Sequence, residues 1–375
     1  MARRAPADLQ LDIDDVDQRL ADGFNLPSHC YTDSAVFDFE MDSIFADCWQ
    51  YFAPAHQVLE PGSVVTGMIG RTPVVVVRGD DGELRGFVNA CRHRGYQVVG
   101  DGKSECARMQ CGYHGWIYNL DGSLARMGRG EGDLTIVKDD FGLHPVSVEL
   151  FGQGIFVNPK PDAESMFSVH GELAEVANKI GLDPDLERYV PFARYEVEQR
   201  SNWKLWYDNG TECFHCPTVH GESFGAAYDV SDGFYEVGLH GTFYSAGFES
   251  TRRSEAQLVG GNYRSVQIYP GTQYIQQDDI MIMGRIIPTS ASTCVFQADY
   301  LAEQGADPDR VEEWAKLWNQ TYDEDGDIVE SIQRNIESGR VTEMRYVDGL
   351  EDASRFFHGL VWQSYKAALS PDRTS

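Results

Sequence analysis

Two short cysteine–histidine pairs constrain the fold of this chain more than any other feature. One residue separates Cys91 from His93, two separate Cys111 from His114, and seventeen residues lie between the pairs. Two thiolates and two imidazoles on a pair of tight loops can close on one metal centre. That centre is either a tetrahedral zinc ion or a [2Fe–2S] cluster in which two Cys hold one iron and two His hold the other.

Glycines surround both pairs, in the segments Cys91-Arg-His-Arg-Gly and Cys111-Gly-Tyr-His-Gly-Trp. A zinc finger does not need Gly95, Gly112 and Gly115 around its ligands, whereas these glycines would let backbone N–H groups approach bridging sulfides. The two segments resemble the Rieske signature of aromatic-ring-hydroxylating oxygenases. The resemblance implies that a Rieske [2Fe–2S] cluster is bound by Cys91, His93, Cys111 and His114.

A second metal site is indicated by His215 and His220, about a hundred residues further along. Because they are five residues apart, an ideal helix would turn them roughly 140° from each other. We expect Pro217 to break the helix between them and to swing both rings toward one metal. Taken alone, a His-x4-His pair is a weak signal. Residues 202–220 are, however, similar to the catalytic-domain motif of the same oxygenases, which implies that both histidines bind a mononuclear non-haem Fe(II).

Such an iron needs a carboxylate to complete a facial triad, and in the resembling family it comes from a late helix. Residues 311–337 read as that helix, because their apolar positions recur at i, i+3 and i+4. Within it, Asp325 stands five residues before Glu330 and matches the ligand position of the family pattern. Asp323 and Asp327 are the competing choices, and a solvated acidic helix face is the interpretation without a metal.

Glu212 has a different expected task. It lies three residues before His215, one helical turn away, where it can accept a hydrogen bond from the ring nitrogen that does not face iron. In the resembling enzymes an acidic residue here also bonds a cluster histidine of the neighbouring subunit, so that electrons pass between chains. Most familiar members carry Asp at this place, while others, including several that act on quaternary ammonium compounds, carry Glu. Asn209, in the same motif, completes the candidate catalytic residues.

The patterning predicts an α+β protein. Short β-branched runs divided by turn residues predict a small all-β Rieske domain over residues 46–160. Alternating runs over residues 265–300 predict an antiparallel sheet, which the resemblance covers with helices, in a catalytic domain over residues 161–375. An N-terminal arm and helix, residues 1–45, are assigned to the catalytic domain, and helical periodicity extends over residues 38–52.

Composition excludes several classes of protein. The chain has 375 residues, is 42% hydrophobic and lacks the run of about eighteen apolar residues that a membrane span needs. Because its first residues also lack the apolar core of a signal peptide, we expect a cytoplasmic protein. A net charge of −28 opposes binding to nucleic acid or anionic membranes. In a reducing compartment, Cys213 and Cys216 are expected as small buried thiols rather than a disulfide.

Residues 84–129 depart from this acidity, with seven cationic side chains against three anionic ones. Some of these cations could steer an acidic electron donor onto the cluster; the alternative is that Arg92 and Arg94 support the cluster loop from within. The chain has no Gly-rich dinucleotide fingerprint in a strand–helix context. NAD(P)H must then be used by a separate flavin-dependent reductase, with or without a ferredoxin.

Three functions compete. The leading one is O2-dependent hydroxylation of an aromatic substrate; the second is oxidative N- or O-demethylation of a methylated amine, betaine-like compound or aryl ether. The third is non-enzymatic: a zinc- or Rieske-containing binding or electron-transfer protein. The resemblance implies a homotrimer, with or without a small beta subunit. Residues 221–264 contain eight aromatic residues that could line a substrate pocket. A carboxylate clamp could come from Arg252, Arg253, Arg264 and Arg285.

Overall fold

The computed structural model describes residues 6–130, 132, 135–179, 188–228, 230, 236–248 and 263–370. Two compact units divide these residues between them. The described residues from Phe45 to Met166 form the first, here called the β unit. Those before Phe45 and after Met166 form the second, the α+β unit, so the chain leaves the α+β unit once and returns to it.

The β unit has a six-stranded antiparallel sheet in the order β1-β9-β8-β4-β3-β2 and a small sheet in the order β5-β6-β7. Its strands are β1 (Gln50–Pro54), β2 (Val64–Ile69), β3 (Thr72–Arg78), β4 (Leu84–Val88), β5 (Met109–Gln110), β6 (Ile117–Tyr118), β7 (Leu124–Arg126), β8 (Pro145–Phe151) and β9 (Gly154–Asn158). Short 3-10 helices lie at Ala55–Val58, Gly128–Gly130 and Lys138–Phe141.

Strand β3 lies between two hydrophobic cores. Because successive side chains of a strand point to opposite faces, Val74 and Val76 pack into one core and Val75 and Val77 into the other. All four are fully buried, which explains the uninterrupted run of valines. The core containing Val75 also contains both Cys91 and Cys111, so the sheet supports the two loops that carry the predicted cluster ligands.

The N-terminal residues of the α+β unit form α1 (Ile13–Ala21) and α2 (Ser34–Ser43), with 3-10 turns at Pro6–Leu9 and Ser28–Tyr31. The prediction of a helix over residues 38–52 is wrong in its second half. Residues 50–52 belong to β1 and pair with β9, so strand pairing overrides the local helical periodicity. Helix α2 instead starts at a capping aspartate, Asp33, whose carboxylate accepts a hydrogen bond from the Ala35 N–H at 2.7 Å.

The rest of the α+β unit contains the predicted antiparallel sheet, in the order β10-β16-β15-β14-β13-β12-β11. Its strands are β10 (Tyr189–Gln199), β11 (Glu236–His240), β12 (Phe243–Phe248), β13 (Tyr263–Ile268), β14 (Thr272–Gln277), β15 (Ile280–Ser290) and β16 (Thr293–Glu303). The helices are α3 (Met166–Val169), α4 (Leu173–Lys179), α5 (Trp203–Gly210), α6 (Cys216–Val219), α7 (Phe224–Ala227), α8 (Pro308–Glu337) and α9 (Asp352–Leu369). Helices α5 and α8 pack on each other and on the sheet, which confirms the predicted fold class. None of the described helices is both long and apolar enough to cross a membrane.

A buried ion pair anchors the start of α5. The Lys204 ammonium donates to the Glu40 carboxylate on α2, and neither side chain is exposed to solvent. The same carboxylate accepts from Trp203 Nε1 at 2.9 Å and from the hydroxyl of Tyr365 on α9. Because a buried charge is tolerated only when its partners are complete, these contacts fix α5, the helix that leads into the second candidate site.

Candidate metal centres

The two cysteine–histidine loops of the β unit have the same backbone hydrogen bonds. In each, the Cys N–H donates to the carbonyl of the fifth residue after it, at 2.8 Å in both loops. The glycine four residues after the Cys, Gly95 or Gly115, returns its N–H to the Cys carbonyl, at 2.8 and 3.1 Å. Both glycines have positive φ, +75° and +72°, where a side chain would be strained. Gly95 and Gly115, two of the three glycines singled out in the sequence, therefore shape two equivalent turns.

The predicted cluster ligands separate by side-chain type. The thiols of Cys91 and Cys111 are buried in the hydrophobic core, whereas the rings of His93 and His114 are exposed, with centroids 4.7 Å apart. Trp116 stacks on the His93 ring at 5.1 Å with an angle of 6° between the planes. Sulfur on the buried side and imidazole at the surface suit a cluster whose His-bound iron faces outward, so these residues fit a Rieske centre.

Tyr118 and Arg92 support the loop that carries Cys91 and His93. The Tyr118 hydroxyl lies 3.2 Å from Cys91 Sγ and accepts a hydrogen bond from the Arg92 N–H at 3.0 Å. Burial raises the pKa of Tyr118, so its hydroxyl keeps the proton that it can donate to sulfur. The Arg92 guanidinium donates to the Gly142 carbonyl at 2.8 Å. Of the two roles that the sequence left open, docking of an electron donor and support of the cluster loop from within, this contact favours the second for Arg92.

Gly128 lies directly behind the second loop. A Cβ on Gly128 would meet the His114 carbonyl oxygen at 2.5 Å, and the residue has a positive φ of +58°. Only glycine fits both conditions, since an alanine would be strained in its backbone and would collide with backbone that a rotamer change cannot move.

In the α+β unit, His215 and His220 flank a single helical turn. His215 immediately precedes α6, His220 immediately follows it, and their ring centroids are 5.2 Å apart. Pro217 stands in the first turn of α6, where its missing N–H is not needed. The prediction that Pro217 breaks a helix is therefore wrong, because Pro217 lies in the first turn of a helix that starts at Cys216. The helical spacing expected for Glu212 is wrong too, because α5 ends at residue 210 and residues 212–215 are not helical.

The structure brings Asp325 to both histidines. Its Oδ1 lies 3.1 Å from His220 Nε2 and 3.4 Å from His215 Nε2. Three ligand atoms on mutually perpendicular bonds of about 2.1 Å would be about 3.0 Å apart, so this set fits the facial triad of a non-haem iron. The two competing aspartates lie elsewhere: Asp323 accepts from the Tyr195 hydroxyl at 2.7 Å, and Asp327 is exposed.

Each histidine ring is oriented by a carboxylate at its other nitrogen. His215 Nδ1 lies 2.5 Å from Glu212 Oε1, as the sequence predicted, and His220 Nδ1 lies 2.7 Å from Glu324 Oε2. Nδ1 therefore carries a proton in each ring, and Nε2 is directed toward Asp325. Glu324, which the sequence analysis missed, is itself held by the Ser223 hydroxyl. Its position beside Asp325 in the acidic run is the one signal that could have revealed it.

The electrostatics of Asp325 and the two histidines follow from these contacts. Burial disfavours the charged form of both partners, but the two histidines hold the pKa of Asp325 well below its usual range. Burial likewise opposes protonation of His215, yet the hydrogen bonds to Asp325 and Glu212 raise its pKa to about 10. Asn209 Nδ2 donates to Asp325 Oδ1 at 2.7 Å, which gives this candidate catalytic residue a positioning contact.

Cys213 and Cys216 form a disulfide on either side of Phe214 and His215. The expectation that both are separate thiols is therefore wrong. The hydrophobic character that was expected does hold, because both residues are buried.

A cavity of about 650 Å³, including the part open to solvent, lies beside the three candidate iron ligands. Its described lining contains two carboxylates of the site, Glu212 and Asp325, and no Lys or Arg. Arg264 and Arg285 do not line it, and Arg252 and Arg253 lie outside the described residues. Seven of the twenty residues that line it are Trp, Tyr or Phe: Trp206, Tyr207, Phe224, Tyr263, Phe296, Trp318 and Tyr322.

Comparison with known proteins agrees with both centres. Residues 48–137 match the Rieske [2Fe-2S] domain, and residues 186–367 match the catalytic domain of the ring hydroxylating alpha subunit. The chain is 26% identical over 371 residues to a choline monooxygenase of Atriplex hortensis, covering 96% of this chain and 83% of that one. It is 28% identical over 360 residues to the carnitine monooxygenase oxygenase subunit of Acinetobacter pittii, covering 92% and 95%.

A solved structure of a quaternary ammonium Rieske monooxygenase superposes with a TM-score of 0.82 at 26% identity, covering 91% of this chain and 95% of that one. A cluster domain joined to a mononuclear iron domain defines an iron-dependent oxygenase that receives electrons from outside. The chain belongs to the family of Rieske non-haem iron oxygenases, as an alpha, or oxygenase, subunit. The predicted cofactors, a Rieske [2Fe–2S] cluster and a mononuclear iron, are those of this family.

Proposed function

We propose that this protein is the oxygenase component of a monooxygenase that oxidises a quaternary ammonium or related N-methylated compound. The observation that carries the proposal is the cavity beside the iron ligands, whose described wall contains seven Trp, Tyr or Phe residues and no Lys or Arg. The sequence analysis put ring hydroxylation first and oxidative demethylation second. The cavity and the similarity to choline and carnitine monooxygenases favour the second reading.

The cavity wall suits a cation with methyl groups. Trp206 and Phe296 have ring centroids 4.8 Å apart, and Trp318 lies 5.4 Å from Phe224 and from Tyr322. Rings grouped in this way present electron-rich faces to an ammonium group, an attraction of about 0.5–2 kcal/mol per cation–π contact. The described lining contains no Lys or Arg to pair with the carboxylate of an aromatic acid, which favours an ammonium substrate.

We assign the mononuclear iron to His215, His220 and Asp325, and the cluster to Cys91, His93, Cys111 and His114. Iron held by this triad would supply O2 activation beside the substrate, and a cluster held by the other four residues would supply the electrons. Glu212 and Glu324 keep both imidazoles in the Nδ1–H form, so that each Nε2 can act as a ligand. Asn209 holds Asp325 Oδ1 through its side-chain amide.

The reaction balances as a monooxygenation. One oxygen atom of O2 enters a C–H bond of an N-methyl group, and the other leaves as water with two electrons and two protons. The resulting N-hydroxymethyl group releases formaldehyde and leaves the amine with one methyl fewer. The electrons come from the separate reductase that the family uses.

For the electron path we propose a homotrimer, in which the exposed His93 and His114 of one subunit approach Glu212 of the next. The Glu212 carboxylate is accessible enough for this role, with 11% of its side chain exposed beside the exposed Phe214. The donor would approach the exposed cations of the β unit, Lys103 and Arg108 among them. The native mass of the purified complex tests the homotrimer and shows whether a small beta subunit is bound to it.

The test is product analysis by mass spectrometry, with the cluster- and iron-loaded protein, a surrogate reductase, NADH and ¹⁸O2. The substrates are choline, L-carnitine and glycine betaine, with 3,3-dimethylbutanol as the uncharged isostere of choline and benzoate as an aromatic acid. We expect turnover of at least one ammonium compound, with formaldehyde formed in step with O2 consumption, and none of the isostere. Ring-hydroxylated benzoate without any amine product would instead establish ring hydroxylation.

A matched pair of variants tests the wall itself. Replacing Trp206 by Phe keeps an aromatic face, whereas replacing it by Leu removes one. We expect Trp206→Leu to raise KM for the ammonium substrate by about 2- to 30-fold relative to Trp206→Phe, the equivalent of about 0.5–2 kcal/mol. Equal KM values for the two variants would count against a cation-binding wall.

A further inference from the structure

The Cys213–Cys216 disulfide lies at the metal site itself. Both residues line the cavity beside the iron ligands, and the ring that they close contains His215. None of the other six cysteines, all among the described residues, forms a disulfide. This disulfide therefore constrains the backbone of His215, a candidate metal ligand.

The disulfide is expected to stabilise the fold only slightly. Stabilisation by a disulfide grows with the number of residues in the loop that it closes, and this loop closes across a sequence separation of three. Cys-x-x-Cys is, by contrast, the spacing of exchangeable dithiols, which are oxidised and reduced by thiol exchange. The position and the spacing both indicate a redox role.

A free Cys216 would add a sulfur ligand to the site. Its Sγ lies 3.9 Å from His215 Nε2, and ligand atoms of His215, Cys216 and His220 all lie within 4.8 Å of one another. Two imidazoles and a thiolate make a set that suits Zn²⁺ and other soft divalent ions. Two imidazoles and the Asp325 carboxylate, with positions left open, suit Fe(II) instead. The two sets share both histidines and differ in whether sulfur is among the ligands.

We propose that the Cys213–Cys216 bridge is a reversible redox element that selects the metal of the catalytic site. In the oxidised state both sulfurs are bonded to each other, and the histidines act with Asp325 to hold Fe(II). In the reduced state Cys216 binds the metal as a thiolate, completing a site that holds Zn²⁺ and excludes O2 chemistry. The inference rests on the proposed iron ligands.

Both conversions balance. A small dithiol attacks one sulfur of the bridge, forms a mixed disulfide and leaves as its own disulfide, so that two electrons and two protons remain on Cys213 and Cys216. Hydrogen peroxide restores the bridge by taking two electrons and two protons from the two thiols and leaving as two waters.

The experiment compares two variants that lose the bridge equally. Cys213→Ala leaves the Cys216 sulfur permanently free, whereas Cys216→Ala removes it. Each holoprotein keeps its Rieske cluster, is freed of mononuclear iron by a chelator and receives Co(II), whose thiolate complexes absorb in the near-ultraviolet. Zn²⁺ affinity is measured against a chromophoric chelator. Wild-type protein is measured both oxidised and after reduction by a phosphine, so a variant that fails to fold does not prevent the test.

We expect a thiolate-to-Co(II) band in reduced wild-type protein and in Cys213→Ala, and none in oxidised wild-type protein or Cys216→Ala. Zn²⁺ should bind the first two more tightly by at least about tenfold, the lower end of effects seen on changing the surroundings of a metal. Co(II) that binds reduced wild-type protein and Cys213→Ala without a thiolate band would overturn the inference but keep the proposed iron site. Failure of every form to bind Co(II) would overturn the iron ligands themselves.

Discussion

Replacement of Gly128 by alanine should disrupt the second cluster loop. The added Cβ would stand 2.5 Å from the His114 carbonyl oxygen, about 0.9 Å inside ordinary van der Waals contact, at a φ of +58°. A left-handed backbone costs a non-glycine residue about 1–2 kcal/mol, and forced overpacking typically costs a further 1–3 kcal/mol. We therefore expect Gly128→Ala to lower the stability of the β unit by about 2–5 kcal/mol.

The matched control is Gly82→Ala, in the same unit. Gly82 also has a positive φ, +82°, but an added Cβ would meet nothing within 4 Å. Only the backbone term of about 1–2 kcal/mol applies there. The assay is denaturant unfolding followed by cluster absorbance, with the EPR spectrum of the reduced cluster as a second readout. Gly128→Ala should unfold first and show an altered signal. Equal unfolding midpoints and identical spectra for both variants would refute the proposed role of Gly128.

Three further changes test other parts of the structure. Asp325→Asn should weaken iron binding by more than about 100-fold while leaving the Rieske EPR signal unchanged, and the exposed control Asp327→Asn should retain iron; metal analysis distinguishes them. Lys204→Met leaves the Glu40 carboxylate buried without its counter-ion, so denaturant unfolding should show a loss of about 3–5 kcal/mol, which the double variant with Glu40→Gln should partly recover. Burial, together with the charge of Lys204, lowers the pKa of His358 to about 3, below its unfolded value near 6.5. Protonation of His358 therefore favours the unfolded chain, so the free energy of unfolding should fall as the pH drops from about 6.5 to 3. His358→Gln should reduce this fall by up to about 5 kcal/mol. An unchanged pH dependence of the free energy of unfolding would contradict the buried neutral imidazole.

Spacing and residue type revealed the parts of the site that are local in sequence. The two cysteine–histidine loops needed only short intervals and their glycines, and the acidic run pointed to Asp325 through the family pattern. The antiparallel sheet followed from alternating runs that the structure contains as β13 to β16. These features depend on interactions within a few residues, which a sequence displays directly.

The features that were missed depend on residues far apart in sequence or on the start of an element. Glu324 orients His220 across 104 residues, and no local pattern encodes that contact. Pro217 was interpreted as a helix breaker because His215 and His220 were assumed to share one helix, whereas in the structure a helix begins between them. The disulfide was missed because a reducing compartment was used as an argument against every bridge, although a Cys-x-x-Cys pair at a metal site has a different chemistry.

The anchoring of Glu40 also sets the order in which this chain can mature on the ribosome. Its partner Tyr365 is translated 325 residues later, a delay on the order of tens of seconds at the usual rates of synthesis. The Glu40 carboxylate gains Lys204 as a partner after 164 residues and Tyr365 only after 325, whereas residues 45–166 are all translated before either partner. The residues of the β unit that carry the predicted cluster ligands are therefore synthesised before Asp325, the last residue of the proposed iron triad, has been added to the chain.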